Sequence, residues 1–135
     1  MTRTALGGRI DVRPRTARLA LGDALVVLVF AALGEARHGG TVTATLVTAA
    51  EFGLGWLVVA TVLGAYGPRA LDSPGRAAGL GVLAWAGGAV LGAAIRAAVE
   101  PLASFAPVFV LVTVGVGGVL FGVWRFLAAR WLRDD

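Results

Sequence analysis

The sequence predicts an all-α membrane protein, a transmembrane bundle of four helices arranged as two helical hairpins. Apolar residues make up 58% of the chain and charged residues only 15%, a balance far more apolar than that of an ordinary soluble domain. Four stretches each have roughly the 20 residues that a helix needs to cross a bilayer. Short segments rich in glycine, proline and charge separate them, which leaves no room for a soluble domain.

The first helix is expected over residues 17–35 and contains the most apolar stretch of the chain, residues 19–34. Only Asp23 interrupts it, and a helix that is apolar on every face is typical of a lipid environment. The preceding segment holds five arginines against one acid, with Pro14 and a pair of glycines that discourage a long helix. We therefore expect residues 1–16 to be an Arg-rich cytoplasmic tail. The acid inside the apolar core argues against a cleaved signal peptide.

The other three spans are expected at residues 44–66, 76–99 and 104–129, so that one membrane domain covers residues 17–129. The connecting segments carry paired glycines or prolines, which favour turns. The third span ends just before Glu100, because a residue before proline is biased away from helix. Residues 130–135 form a second charged tail.

Arginine placement predicts the orientation of the chain. All twelve basic residues are arginine, and ten of them fall on the side of the two termini and the second loop. Arg37 and Arg96 alone fall on the other side. The positive-inside rule therefore places both termini in the cytoplasm and the protein in the cell membrane. Because these arginines cluster at the ends of apolar segments, they do not indicate nucleic-acid binding.

Catalytic and metal-binding signals are weak. The chain has no cysteine and one histidine, His38, which sits in the outer loop beside Arg37 and near Glu35. A tight metal site would need several further ligands on that side. We find no phosphate-binding loop and no nucleophile with a base at usable spacing, so we expect no cofactor, no metal and no enzymatic activity. His38 remains the one candidate in the outer loop, either functional or simply solvated.

Four ionisable residues lie inside the predicted spans: Asp23, Glu51, Arg96 and Arg125. A charge at mid-helix costs about 2.5–3.5 kcal/mol on the insertion scale, so each should be paired, near an end, or facing water. Asp23 and Arg125 both lie about four residues, or roughly 6 Å, from the cytoplasmic edge. Glu51 lies deeper, and the long side chain of Arg96 reaches towards it from the outer side. We expect these residues to form two acid–arginine pairs across the helices.

Glycine spacing supports an inward orientation of both arginines. Arg96 follows Gly92 by four residues and Gly88 by eight, and Arg125 shares a helix face with Gly118 and Gly122. Small residues in membrane helices mark the places where helices touch. These glycines are therefore the predicted helix-packing positions.

Two functions remain open at this point. The buried charges favour a small transporter or a channel-like protein. Glu51 is the best single residue at which to test this function. Alternatively, the pairs are structural and the chain is a non-catalytic membrane scaffold or accessory subunit that packs through its glycine faces. Either function is compatible with a homo-oligomer or with another membrane protein as partner. An intramembrane enzyme would have to rest on His38 and Glu35 alone.

Several segments in order resemble a family of small prokaryotic four-helix membrane proteins catalogued only as a domain of unknown function (DUF3054-like). They are GDALVVLVFAALGEARHG (22–39), EFGLGWLV (51–58), AW with GAAIR (84–96), SF (104–105) and GVWRFLA (122–128). The resemblance implies a fold and a location but no activity. Glu51 stands where the family pattern has proline, so a role for it would be private to this chain. The matching positions are Asp23, His38, Arg96, Ser104, Phe105, Trp124 and Arg125.

Overall fold

A computed structural model describes residues 4–100, 102–103 and 105–132 of the protein. It contains four helices in the order α1 (Pro14–Ala36), α2 (Val42–Val62), α3 (Pro74–Val99) and α4 (Pro107–Leu132). By length and composition each of the four is able to cross a membrane. The predicted fold class, an all-α four-helix membrane protein, is therefore confirmed. Helix α3 packs extensively against α2 and α4, whereas α1 is held less closely by α2 and α4.

Three helices begin earlier than the sequence indicated. Helix α2 begins at Val42, not residue 44, and for the other two proline is the reason. Helix α1 begins at Pro14, not residue 17, and α3 begins at Pro74, not residue 76. Proline lacks the backbone N–H that would be unsatisfied in a first turn, and its fixed φ suits that position. At α3 the hydroxyl of Ser73 also accepts a hydrogen bond from the Arg76 amide at 3.1 Å, which caps the helix.

Helix α2 ends at Val62, four residues before the expected boundary at Tyr66. Gly64 adopts a left-handed backbone conformation with φ +75°, and such a glycine commonly ends a helix. The chain then bends so that Tyr66 is buried in the bundle and does not extend the helix. At the other end of α2, Thr41 accepts a hydrogen bond from the Ala44 amide at 3.1 Å.

Helix α4 extends three residues past the predicted end at 129, and its described part begins at Pro107. The predicted start, Ser104, lies outside the described residues, as do residues 1–3, 101 and 133–135 of the predicted loop and tails. The described part of the N-terminal segment is not an open tail. It contains a short antiparallel hairpin, β1 (Thr4–Ala5) with β2 (Ile10–Asp11), which the composition did not indicate.

The core of the bundle is a layer of aromatic rings. Trp56 stacks on Phe121 with ring centroids 4.0 Å apart, and Phe30 meets Trp85 edge-on at 5.0 Å. Phe52 completes the layer against Phe30 at 5.5 Å. These five residues are called the aromatic layer below. Large apolar side chains on the outer faces remain exposed, which is expected where lipid surrounds the helices.

Glycines allow the close approach of α2 and α3. A β-carbon added at Gly88 would lie 2.9 Å from the Trp56 Cα, and one added at Gly92 would lie 3.0 Å from the Phe52 Cα. On α4, a β-carbon at Gly122 would lie 3.3 Å from Val82, but one at Gly118 would meet nothing within 4 Å. The close contact on that stretch belongs instead to its neighbour Gly117, whose missing side chain makes room for the Trp85 ring.

Candidate functional site

Two polar clusters lie in the bundle, one on each side of the aromatic layer along the helices. The first surrounds Asp23 and Arg125 and lies near the α2–α3 loop; we call it the Asp23 cluster. The second surrounds Glu51 and Arg96 and lies near the α1–α2 and α3–α4 loops; we call it the vestibule cluster. The four ionisable residues predicted inside the spans are thus brought together as two pairs.

The Asp23 carboxylate accepts four hydrogen bonds. Arg125 donates two of them, from Nη2 to Oδ2 at 2.7 Å and from Nε to Oδ1 at 3.1 Å. The Tyr66 hydroxyl donates to Oδ2 at 2.6 Å, and the indole N–H of Trp124 donates to Oδ1 at 3.0 Å. Paired N–H bonds from one guanidinium to one carboxylate are the strongest geometry for such a pair.

The remaining polar atoms of this cluster are also satisfied. Arg125 is 0% exposed, and its Nη1 donates to the Ala65 carbonyl at 2.7 Å. Its guanidinium lies over the rings of Trp56 and Tyr66 at 5.2 and 5.1 Å. Trp56 donates from Nε1 to the Tyr66 hydroxyl at 2.8 Å. A network so fully occupied fixes four segments of the chain and leaves its polar atoms little free hydrogen-bonding capacity, although Asp23, Trp56 and Tyr66 also border a largely apolar cavity of about 480 Å³.

The vestibule cluster is built differently, because its deepest acid lacks hydrogen bonds. The Glu51 side chain is only 5% exposed, and its nearest cation is Arg96, with Nη1 3.5 Å from Oε1. Among the described residues, none donates a hydrogen bond to either oxygen of this carboxylate. Most buried polar groups are hydrogen-bonded, so an exception of this kind requires an explanation.

Arg96 connects Glu51 to two further acids. Its Nε lies 3.0 Å from Glu100 Oε2, and its Nη1 donates to the Thr48 hydroxyl at 3.0 Å. Thr48 in turn donates to Glu35 Oε1 at 2.7 Å. One guanidinium and one hydroxyl therefore join three carboxylates, which leaves the cluster net negative.

A cavity of about 430 Å³ opens beside this cluster. Its polar wall is formed by Glu35, His38, Thr48 and Arg96, and its apolar wall includes Phe30 of the aromatic layer. The outer-loop candidate His38 thus faces the same space as the predicted Arg96. We call this cavity, together with Glu51 and Glu100, the vestibule.

For two members of the vestibule cluster, Thr48 and Glu100, the sequence predicts no role in a site. Thr48 stands one turn before Glu51, and Glu100 follows Arg96 by four residues, so both spacings place the side chains on a shared helix face. From the sequence, Glu35 is a candidate only together with His38, for an intramembrane enzyme, and not as a partner of Arg96 or Glu51. Within the described ranges, no group of three or more histidine, cysteine or acidic side chains is arranged to hold a metal ion.

Comparison with known proteins gives one result. The model of the family described as "Protein of unknown function (DUF3054)" matches residues 20–128, a range that includes both clusters and excludes the N-terminal hairpin. No curated protein and no solved structure matches the chain. Because the match covers most of the sequence, this integral membrane protein belongs to the DUF3054 family of proteins of unknown function.

Proposed function

We propose that this protein is a small multi-pass transport protein of the cell membrane that binds a small organic cation in the vestibule. The observation that carries the proposal is the Glu51 carboxylate, which is buried without a hydrogen-bond donor and lies 3.5 Å from Arg96, a residue of the cavity's polar wall. Both termini are cytoplasmic in this proposal, so the vestibule faces the outside.

The charge of the vestibule favours a cation as the solute. Arg96 supplies one positive charge in this cluster, and three carboxylates lie around it: Glu35, Glu51 and Glu100. A solute carrying N–H donors would supply the hydrogen bonds that Glu51 lacks, and charge-assisted bonds of this kind are about twice as strong as neutral ones. The cavity of about 430 Å³ is in the range of known small-molecule sites.

The aromatic layer favours a carrier over an open channel. Trp56, Trp85 and Phe121 stack across the interior between the vestibule and the Asp23 cluster. A solute bound beside Arg96 would therefore need a rearrangement of the helices before it could pass. Transporters expose one central site to each side in turn, commonly by movement of one group of helices against another.

The alternative function, a scaffold packing through its glycine faces, has less support. Gly88 and Gly92 already contact α2 within the same chain, and Gly122 lies against Val82. These three positions are therefore occupied, and of the four predicted packing glycines only Gly118 has open space beside it.

The experiment is a flux measurement in proteoliposomes. Uptake of radiolabelled guanidinium, which carries N–H donors, is compared with uptake of tetramethylammonium, which carries none. We expect the parent to transport guanidinium in preference and Glu51→Gln to lose that uptake, while Asp72→Asn, in an exposed loop pair, retains it. Parent uptake no faster than that of protein-free vesicles, or equal uptake by the Glu51→Gln variant, would contradict the proposal.

A further inference from the structure

We propose that residues 4–15 form a latch, which closes the end of the bundle opposite the vestibule and holds Tyr66 in the Asp23 cluster. This inference does not rest on transport, since it concerns only how the α2–α3 loop is kept in place. It rests on the contacts that the N-terminal hairpin and the start of α1 make with that loop.

The latch is attached to the α2–α3 loop at two residues, Tyr66 and Pro68, and to the last residue of α2. The Asp11 amide donates to the Tyr66 carbonyl at 2.7 Å, and Ile10 forms a parallel bridge with the same tyrosine. Arg15 donates from Nη2 to the Pro68 carbonyl at 2.9 Å. Arg9 donates to the carbonyl of Val62, the last residue of α2. These bonds satisfy carbonyls of a loop that lacks regular structure of its own.

Asp11 holds the latch together. Its residue is only 2% exposed, and its Oδ2 lies 2.6 Å from Arg13 Nη2 and 3.2 Å from Arg15 Nη2. Arg15 is the guanidinium that also reaches the loop at Pro68. The carboxylate therefore orients the side chain that ties the latch to the loop, and loss of its charge should free that side chain.

Tyr66 connects the latch to the bundle interior through hydrogen bonds at its backbone and at its side chain. Its backbone carbonyl accepts the bond from Asp11, while its hydroxyl donates to Asp23 at 2.6 Å. The preceding residue, Ala65, accepts a bond from Arg125 at 2.7 Å. The two ends of one residue thus join the latch to the buried pair, and the loop cannot move outwards without breaking both connections.

The latch lies outside the part of the chain that the family model matches, which begins at residue 20. The segment that it secures, including Ala65, Ala70 and Leu71, is buried.

Cysteine labelling tests the inference directly, because the natural chain contains no cysteine. Ala70→Cys places a thiol in the buried loop, and its reaction with a maleimide is followed in nanodiscs, where both faces of the bilayer are accessible. We expect Asp11→Asn to raise the labelling rate about tenfold or more, since a lost charge-assisted hydrogen bond changes a local opening equilibrium by about that factor.

Two controls separate local opening from general unfolding. Asp72→Asn makes the same chemical change in an exposed pair of the same loop and should leave the labelling rate unchanged. Ala89→Cys reports on the centre of α3 and should remain protected in the Asp11→Asn background. An unchanged rate at position 70 would overturn the latch, and so would an equal rise at positions 70 and 89, because the variant would then have loosened the whole bundle.

Discussion

The Asp23–Arg125 pair provides the sharpest test of the fold. Replacing Asp23 by asparagine keeps the shape of the side chain but leaves Arg125, which is 0% exposed, without a counter-charge. The two bonds at 2.7 and 3.1 Å lose their ionic character. Removing one partner of a buried pair costs about 3–5 kcal/mol, so we expect the free energy of unfolding to fall by that amount.

Reversible unfolding in mixed detergent micelles measures this loss. Tryptophan fluorescence is a suitable signal, because Trp124 donates to Asp23 and Trp56 lies under Arg125. Asp72→Asn is the matched control, since its pair with Arg69 is exposed and such pairs are worth about 0–1 kcal/mol.

A double variant isolates the electrostatic cause. Asp23→Leu combined with Arg125→Met removes both charges at once, and well-packed apolar replacements of a buried pair are often neutral or stabilising. We therefore expect the double variant to be more stable than Asp23→Leu alone. A loss below about 1 kcal/mol for Asp23→Asn, or a double variant no better than the single one, would refute the reasoning from burial.

Three further predictions follow from the packing and the latch. Gly55→Ala should lower the midpoint of thermal unfolding, because its β-carbon would lie 2.3 Å from the Gly88 carbonyl. Gly79→Ala is the control: its β-carbon would meet nothing within 4 Å, so the midpoint should stay unchanged or rise. Tyr66→Phe should cost about 2–4 kcal/mol in detergent unfolding, since it removes one bond to a charged group and one from Trp56; a loss below about 1 kcal/mol would contradict this. The hydrogen bond from Arg13 holds the pKa of Asp11 below its ordinary value of 3.8, so its contribution is present at neutral pH and is lost as the pH falls through that lowered pKa. Hydrogen-exchange protection of the Asp11 amide should therefore stay constant from about pH 7 to about pH 5 and fall only in stronger acid, and an earlier fall would count against the ion pair.

Much of this arrangement could be predicted from residue spacing. The length and apolarity of the spans predict four helices, and depth counted along each helix predicts which acid meets which arginine. In the structure Arg125 lies 2.7 Å from Asp23, and Arg96 lies 3.5 Å from Glu51. Depth is predictable because rise per residue is constant in a helix and charges avoid lipid.

The contributions of loops were harder to predict. The sequence predicts Tyr66 at the end of a span, but its hydroxyl reaches Asp23 because the chain reverses at Gly64. No periodic pattern describes a loop that folds back into a bundle, and the hairpin of the latch has strands of only two residues each. The close contact on α4 lies at Gly117 and not at the predicted Gly118 for a similar reason. The face of α4 that contacts α3 depends on where the Trp85 ring lies.

The pairing of Asp23 with Arg125 also constrains how the protein is made. The two residues are separated by 102 positions, so the first helix enters the bilayer long before its counter-charge has been synthesised. During that interval Asp23 lacks its counter-charge, and of the three residues that donate to it in the described structure only Tyr66 precedes the fourth helix. We therefore expect the first helix to stay within the insertion machinery, or with Asp23 at the lipid headgroups, until the last helix arrives and completes the fold.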